Sequence, residues 1–162
     1  MVIFFGRTFA HSAISHLLIR YNYKTEQIMW NGEFQFSKSM IMQGDCLERM
    51  LEIPSKSVDL ICCDLPYGVT NNKLDVAIDP EALWAQYWRI AKDNAAVVLF
   101  GQDKFTATMM LSSKYHRYNL IWDKQLTTGF LNASKMPLRS HEDIMVFYRK
   151  PPIYNPQKNR WS

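Results

Sequence analysis

Asp64-Leu65-Pro66-Tyr67 brings a carboxylate, a proline and an aromatic ring together within four residues. These groups suit one kind of ligand, a planar ring bearing an exocyclic NH2. The Asp64 carboxylate and the Pro66 carbonyl can each accept one amine hydrogen, and proline also fixes the local backbone. Accepting both hydrogens draws the nitrogen out of planarity and frees its lone pair from the ring. Tyr67 can stack on the ring itself. Adenine N6 and cytosine N4 are amines of this type, poor nucleophiles until the lone pair is localised and aligned with an electrophile. Orientation and electrostatic preorganisation do that work. In a duplex the amine is paired and stacked, so the base must first be flipped out. Stacking on Tyr67 offsets part of that cost. No metal is called for, and His11, His16, His116 and His141 show no ligand spacing. Taken alone, the tetrapeptide also fits an ordinary turn after a strand.

The elements around the motif decide its value. Residues 58–63 form an almost continuous apolar run of strand length, the pattern of a parallel strand buried on both faces. That run delivers Asp64 at its C-terminal end. Upstream, residues 40–43 read as a short strand and Gly44-Asp45 as a turn. Asp45 then caps a helix, with Glu48 three residues on as in a capping box. Leu47, Met50 and Leu51 give that helix its apolar face, and Pro54 ends it. Downstream, a flexible stretch from 68 to 79 leads to Asp79-Pro80, an N-cap followed by proline at the first helical position. Leu83, Trp84, Tyr87 and Ala91 recur at helical spacing, and residues 92–94 close the helix. Residues 95–100 make a second buried strand ending at Gly101. Strand, helix, strand implies a right-handed parallel crossover. Asp103 caps a further helix over 104–113, with Phe105, Met109 and Thr108 facing inward.

Residues 118–122 and 144–148 read as two more strands. About twenty residues separate them, a long loop of the kind that often carries function. It holds Gly129, Asn132, Lys135, Arg139 and His141. The core is therefore α/β with a mostly parallel sheet and an antiparallel strand pair near the C-terminus. In open sheets of this type ligands sit beyond the C-terminal strand ends, where Asp64 and Gly101 lie. Trp84, Trp88 and Trp122 are expected in the core, and Cys62-Cys63 as small buried strand residues.

Residues 1–39 read as an N-terminal extension of uncertain order, with 40–162 as the catalytic region. Within the extension, 10–20 has helical spacing at Ile14, Leu17 and Leu18. Residues 28–36 resemble a β-hairpin turning on Asn31-Gly32. The extension is either a DNA-contacting arm or a poorly ordered tail. Its start, Val2-Ile3-Phe4-Phe5, begins like a signal peptide but is broken by Arg7 and His11. No span is apolar enough to cross a membrane. The 162 residues carry a net charge of +4, with 48% apolar and 21% charged residues, as expected of one globular domain. The basic balance mildly favours a polyanionic partner. Lys135, Arg139, Arg149, Lys150, Lys158 and Arg160 make the C-terminal third basic and suit phosphate binding or a solvated face. Three cysteines, two of them adjacent, give no disulfide framework and fit a reducing cytoplasm.

The wider pattern resembles the N4/N6 amino-methyltransferases of DNA, whose signature is Asp/Asn/Ser-Pro-Pro-Tyr/Phe. The likeness runs from Gly44-Asp45-Cys46-Leu47-Glu48 through Ile53-Pro54 and residues 58–68. It continues in Leu83-Trp84, Val97-Val98-Leu99, Ile121-Trp122-Asp123-Lys124, Leu131-Asn132-Ala133, His141-Glu142-Asp143-Ile144 and Tyr154-Asn155-Pro156-Gln157. It is nearest the circularly permuted group common in phages and prophages. The resemblance implies S-adenosylmethionine as methyl donor, double-stranded DNA as partner, a bacterial or phage-infected cytoplasm, and a seven-strand Rossmann-like methyltransferase sheet. Asp64, the Pro66 carbonyl and Tyr67 match the target-amine site. Asp45, Phe100 and Gly101 match the cofactor side. Asn132, His141 and Glu142 are candidates for contact with the flipped base or the DNA, the last two reading equally as the start of a strand. Asp at the first motif position leans towards adenine, since Ser-Pro-Pro-Tyr is more typical of cytosine enzymes; protein glutamine methylation usually has Asn there.

Two departures stand out. Leu65 replaces the first proline, a position without a chemical role. The glycine-rich Phe-x-Gly-x-Gly loop that follows the catalytic half in the permuted group is not found before Ser162. The expectation is a partial sheet lacking its cofactor-side strands, with the strand ending at Cys63 as an exposed edge. A second chain would then supply the missing half, or the chain would be an inactive fragment that binds DNA or a partner.

Overall fold

The computed structural model describes residues 2–6, 16–20, 39–67 and 78–156. In chain order these form β1 (Val2–Gly6), β2 (His16–Arg20), β3 (Ser39–Gln43), α1 (Cys46–Met50), β4 (Val58–Asp64), α2 (Pro80–Ile90), β5 (Ala91–Gly101), α3 (Asp103–Leu111), β6 (His116–Thr128) and β7 (Arg139–Tyr148). The strands build one α/β sheet of seven in the order β3-β2-β1-β4-β5-β7-β6.

The sheet is mixed rather than mostly parallel. β4 lies parallel to β1 and to β5, while β1–β2, β2–β3, β5–β7 and β6–β7 are antiparallel. Continuous apolar runs identify strands such as β4 and β5, which have a parallel neighbour. They carry no information about the short strands that flank them. The expected exposed edge at Cys63 does not exist. Phe5 of β1 stands opposite Cys63 on one side, and Leu99 of β5 on the other.

The helix expected over 10–20 is corrected in its described part. Residues 16–20 are β2, hydrogen-bonded to both β1 and β3. A short apolar run such as Leu17-Leu18-Ile19 fits either element by periodicity, and pairing on both sides settles it. Residues 10–15, the hairpin at 28–36 and most of the stretch from 68 to 79 lie outside the described residues.

Both capped helices start where their caps dictate. The Asp45 carboxylate accepts from the Leu47 and Glu48 amides at 2.9 and 3.3 Å. The Asp79 carboxylate accepts from Glu81 and Ala82 at 3.2 and 3.3 Å, and Pro80 opens the helix at a position needing no donor. In α1 the buried residues are Cys46 and Met50, whereas Leu51 is exposed. Burial, and then the Asp45 charge, push the Cys46 thiol up to about 11. At neutral pH it is a protonated packing group. In α2, Leu83, Trp84, Tyr87 and Ile90 form the buried face. Ala91 ends the helix and at once begins β5, so 92–94 are strand rather than a helix end.

One face of the sheet carries the core. Ile61, Cys63, Val97, Leu99, Met145 and Phe147 are buried there, with Trp84 packed on Phe147 at 4.7 Å between ring centroids. The Tyr87 hydroxyl meets Cys63 Sγ at 3.1 Å. The opposite side chains of β4 and β5, including Leu60, Cys62, Val98 and Phe100, are only half-buried. β4 is thus sealed on one face, not both. Trp122 is also not core but exposed.

Where β4 and β5 begin, polar groups tie elements together. The Arg89 guanidinium donates to the carbonyls of Ile53 and Met50 at 2.9 and 2.5 Å. Arg149 donates to those of Trp88 and Ala91. Asp93 pairs with Lys56 at 2.7 Å and with Lys150 at 3.5 Å, and Lys92 with Asp59 at 2.6 Å. Arg149 and Lys150, expected among candidate phosphate ligands, serve the turns at this end. Lys158 and Arg160 lie outside the described residues. Among the described residues no helix is long and apolar enough to cross a membrane.

Candidate functional site

β4 delivers Asp64 at the opposite end of the sheet, level with Phe100 of β5. From β1 the chain turns to β2 and β3 on one side; from β4 it proceeds to β5, β7 and β6 on the other. The β1/β4 junction is therefore a reversal of strand order, the place where open α/β sheets form a crevice outside the C-terminal strand ends. Asp64 stands at that junction.

The motif folds back on itself. Leu65 is buried, so the residue without a chemical role has a mechanical one: its side chain anchors the turn in the core. Pro66 and Tyr67 are half-buried. The Tyr67 hydroxyl donates to Asp64 Oδ1 at 3.1 Å. Its ring lies on Phe105 of α3, with centroids 4.7 Å apart and planes tilted by 31°. Carboxylate and aromatic ring are thus fixed relative to one another.

Gly101 follows Phe100 at the end of β5 and has no space for a side chain. A Cβ there would stand 2.6 Å from Met145 Cε, 2.9 Å from Thr106 Oγ1 and 3.1 Å from Phe105 Cδ1. This absence of a Cβ lets α3 lie close enough for Phe105 to reach Tyr67. The turn from β5 into α3 is clamped to β7. Arg139 pairs with Asp103 at 2.6 Å and donates to Gln102 Oε1 at 3.2 Å; Gln102 Nε2 donates to the His141 carbonyl at 3.2 Å. Asp103 adopts φ +51°, a strained conformation for a residue with a Cβ. It is the first residue of α3 rather than its cap, and Gln102 holds the N-cap position without a side-chain bond. The helix face shifts accordingly, so Thr106, not Thr108, is buried.

The long loop is largely strand. β6 continues to Thr128 and β7 begins at Arg139, leaving 129–138, with a 3₁₀ turn over Phe130–Asn132, as the tip of an arm. Asn132 is exposed, and its carbonyl accepts from the Lys135 and Met136 amides. His141 is exposed and opposite Asp123; Glu142 is opposite Trp122 and pairs with Lys124 at 2.7 Å, both largely shielded. Neighbours along a strand point to opposite faces, so His141 and Glu142 do not converge. β7 is two strands from β4, about 10 Å.

The site residues fall into one assembled group and several separate ones. Asp64, Pro66 and Tyr67 come together, joined by Phe105 and, through it, Gly101. Phe100 packs edge-on against Trp122 at 5.8 Å. Asp45 follows β3, and its carboxylate caps α1, which packs against α2. Gly101 is closely surrounded by Met145, Thr106 and Phe105. Among the described residues there is no cluster of ligands for a metal. Phe105 as a partner of Tyr67, and Gln102 and Arg139 as braces of the turn from β5 into α3, escape sequence reasoning, because periodicity predicts which helix face is inward and not which loop it meets. No model of a known protein family matches the chain.

Proposed function

We propose that this chain is the target-amine part of a DNA methyltransferase, positioning the exocyclic amine of a flipped base, adenine N6, for methylation by S-adenosylmethionine. The observation that carries the reading is the Asp64–Tyr67 pair, braced by Phe105 at the reversal of strand order. Asp64 accepts one amine hydrogen and the Pro66 carbonyl the other. The base stacks on Tyr67. The tyrosine hydroxyl holds the carboxylate in place, so little reorganisation is needed when the amine arrives. That the sheet is α/β supports the reading at the level of fold class alone. No step is assigned to the methyl donor.

The test is incubation of the chain with duplex DNA and S-adenosylmethionine carrying a labelled methyl group, followed by mass spectrometry of the nucleosides. N6-methyladenine is expected, and Asp64→Ala reduces its formation by at least about a thousandfold. Transfer at full rate by Asp64→Ala refutes the mechanism, and N4-methylcytosine alone refutes the choice of base. The lack of a Phe-x-Gly-x-Gly motif in the sequence motivates a second reading, a chain that engages DNA but needs another polypeptide for the donor. Calorimetry separates the two: saturable binding of S-adenosylmethionine by the chain alone excludes the second.

A further inference from the structure

β7 outruns β5 at the end of the sheet where Asp64 lies. Gly101, the last residue of β5, stands opposite Asp143, whereas β7 starts earlier, at Arg139. Residues 139–142 therefore overhang the turn from β5 into α3, and two of them hold it. Arg139 Nη1 pairs with Asp103 Oδ2 at 2.6 Å and donates to Gln102 Oε1 at 3.2 Å; Gln102 Nε2 donates to the His141 carbonyl at 3.2 Å. Asp103 sits at φ +51°, a conformation that persists in a residue with a Cβ only where its surroundings over-determine it. The Gln102 carbonyl in turn accepts from the Phe105 amide at 3.1 Å. The clamp thus sets where the first turn of α3 begins, and that turn carries the ring lying on Tyr67.

We infer that Arg139 is a positioning residue for the target amine. It holds Gln102 and Asp103, these hold Phe105, and Phe105 holds the Tyr67 ring. That the base stacks on this ring rests on the function proposed above. The pair with Asp103 is partly exposed, 38% for the arginine side chain and 54% for the aspartate, so its charge adds little to stability. Its consequence lies in geometry. The alternative role for Arg139, a ligand of a DNA phosphate, predicts the opposite result when Asp103 is replaced.

The test is fluorine NMR of the chain labelled with 3-fluorotyrosine, in which Tyr67→Phe identifies the Tyr67 signal among eight tyrosines. Arg139→Ala is expected to move that signal and to lower kcat for methyl transfer about tenfold, with KM for DNA changed by less than about twofold. Circular dichroism stays unchanged. Both contacts come from Nη1, so Arg139→Lys recovers part of each effect. Glycine takes a positive φ without strain, so after Asp103→Gly the turn needs no clamp. Adding Arg139→Ala to Asp103→Gly then costs less than about a further twofold. A Tyr67 signal that ignores Arg139→Ala overturns the proposal. So does a loss that appears in KM, or one that persists undiminished beside Asp103→Gly, as a phosphate ligand requires. The fluorine signal needs neither DNA nor methyl donor. It decides the position of Tyr67 even where the unaltered chain transfers no methyl group, an outcome that refutes the function alone.

Discussion

At the end of the sheet where β4 and β5 begin, Arg89 and Arg149 are bonded to the carbonyls of four residues, and Asp93 gathers two lysines. At the other end, Asp64 accepts from the Tyr67 hydroxyl, and Asp103 is held in a strained backbone by Arg139. The first set closes turns, supplying acceptors that would otherwise go unmet. The second keeps a carboxylate, an aromatic ring and a glycine in fixed relation at the strand ends. Arginine serves both ends, holding backbone carbonyls at one and the Asp103 carboxylate at the start of α3 at the other.

Substitutions at the two ends should separate accordingly. The largest stability loss is expected from Arg89→Ala, which leaves two partly buried carbonyls without their donor and costs about 2–4 kcal/mol in chemical denaturation. Methyl transfer below the unfolding range should survive it; a parallel loss would mean the ends are coupled. Gly101→Ala should cost about 1–3 kcal/mol, because its Cβ must displace Met145 and Thr106. It should also lower transfer by moving Phe105, the one substitution expected to register on both measures. Tyr67→Phe removes the hydroxyl bond to Asp64. Transfer should fall about tenfold with stability changed by less than about 1 kcal/mol.

Asp93→Asn should have the smallest effect. Hydrogen bonding and charge from Lys56, then Lys150, hold the Asp93 carboxyl below its usual value of 3.8. A depressed folded value means stability that is present above the unfolded value and lost as pH falls through the folded one. A thermal-melt difference between parent and Asp93→Asn should therefore be small at neutral pH, since the pair is exposed. It should vanish in acid below pH 3.8. A difference that grew in acid would reverse the assigned role.

The sequence made β3, β4, α1, α2 and the tetrapeptide readable, because caps and apolar runs are local signals. Asp79-Pro80 is unambiguous for that reason, and the Asp64 strand end follows from the run before it. Pairing is not local. β2 has the composition of a short helix turn until two neighbours bond to it, and β6 and β7 extend past their apolar centres because each supplies the other's hydrogen bonds. In the site, Asp64 and Tyr67 are adjacent enough to be read together. Phe105 reaches Tyr67 through the close approach that Gly101 permits. Leu65, set aside for want of chemistry, is the residue that pins the motif.

The sheet also implies an order of assembly. β1, β2 and β3 pair only among sequence neighbours on their side, and β4 to β7 do the same on theirs. One ladder, from Val2 opposite Leu60 to Phe5 opposite Cys63, joins the two. Closing it requires more than fifty intervening residues to be brought round, an entropic cost met only after local pairs have formed. Each half can therefore gain structure by itself, with the suture between them made last. Asp64 lies at the end of that suture, so the surroundings of its carboxylate depend on the ladder that joins the two halves.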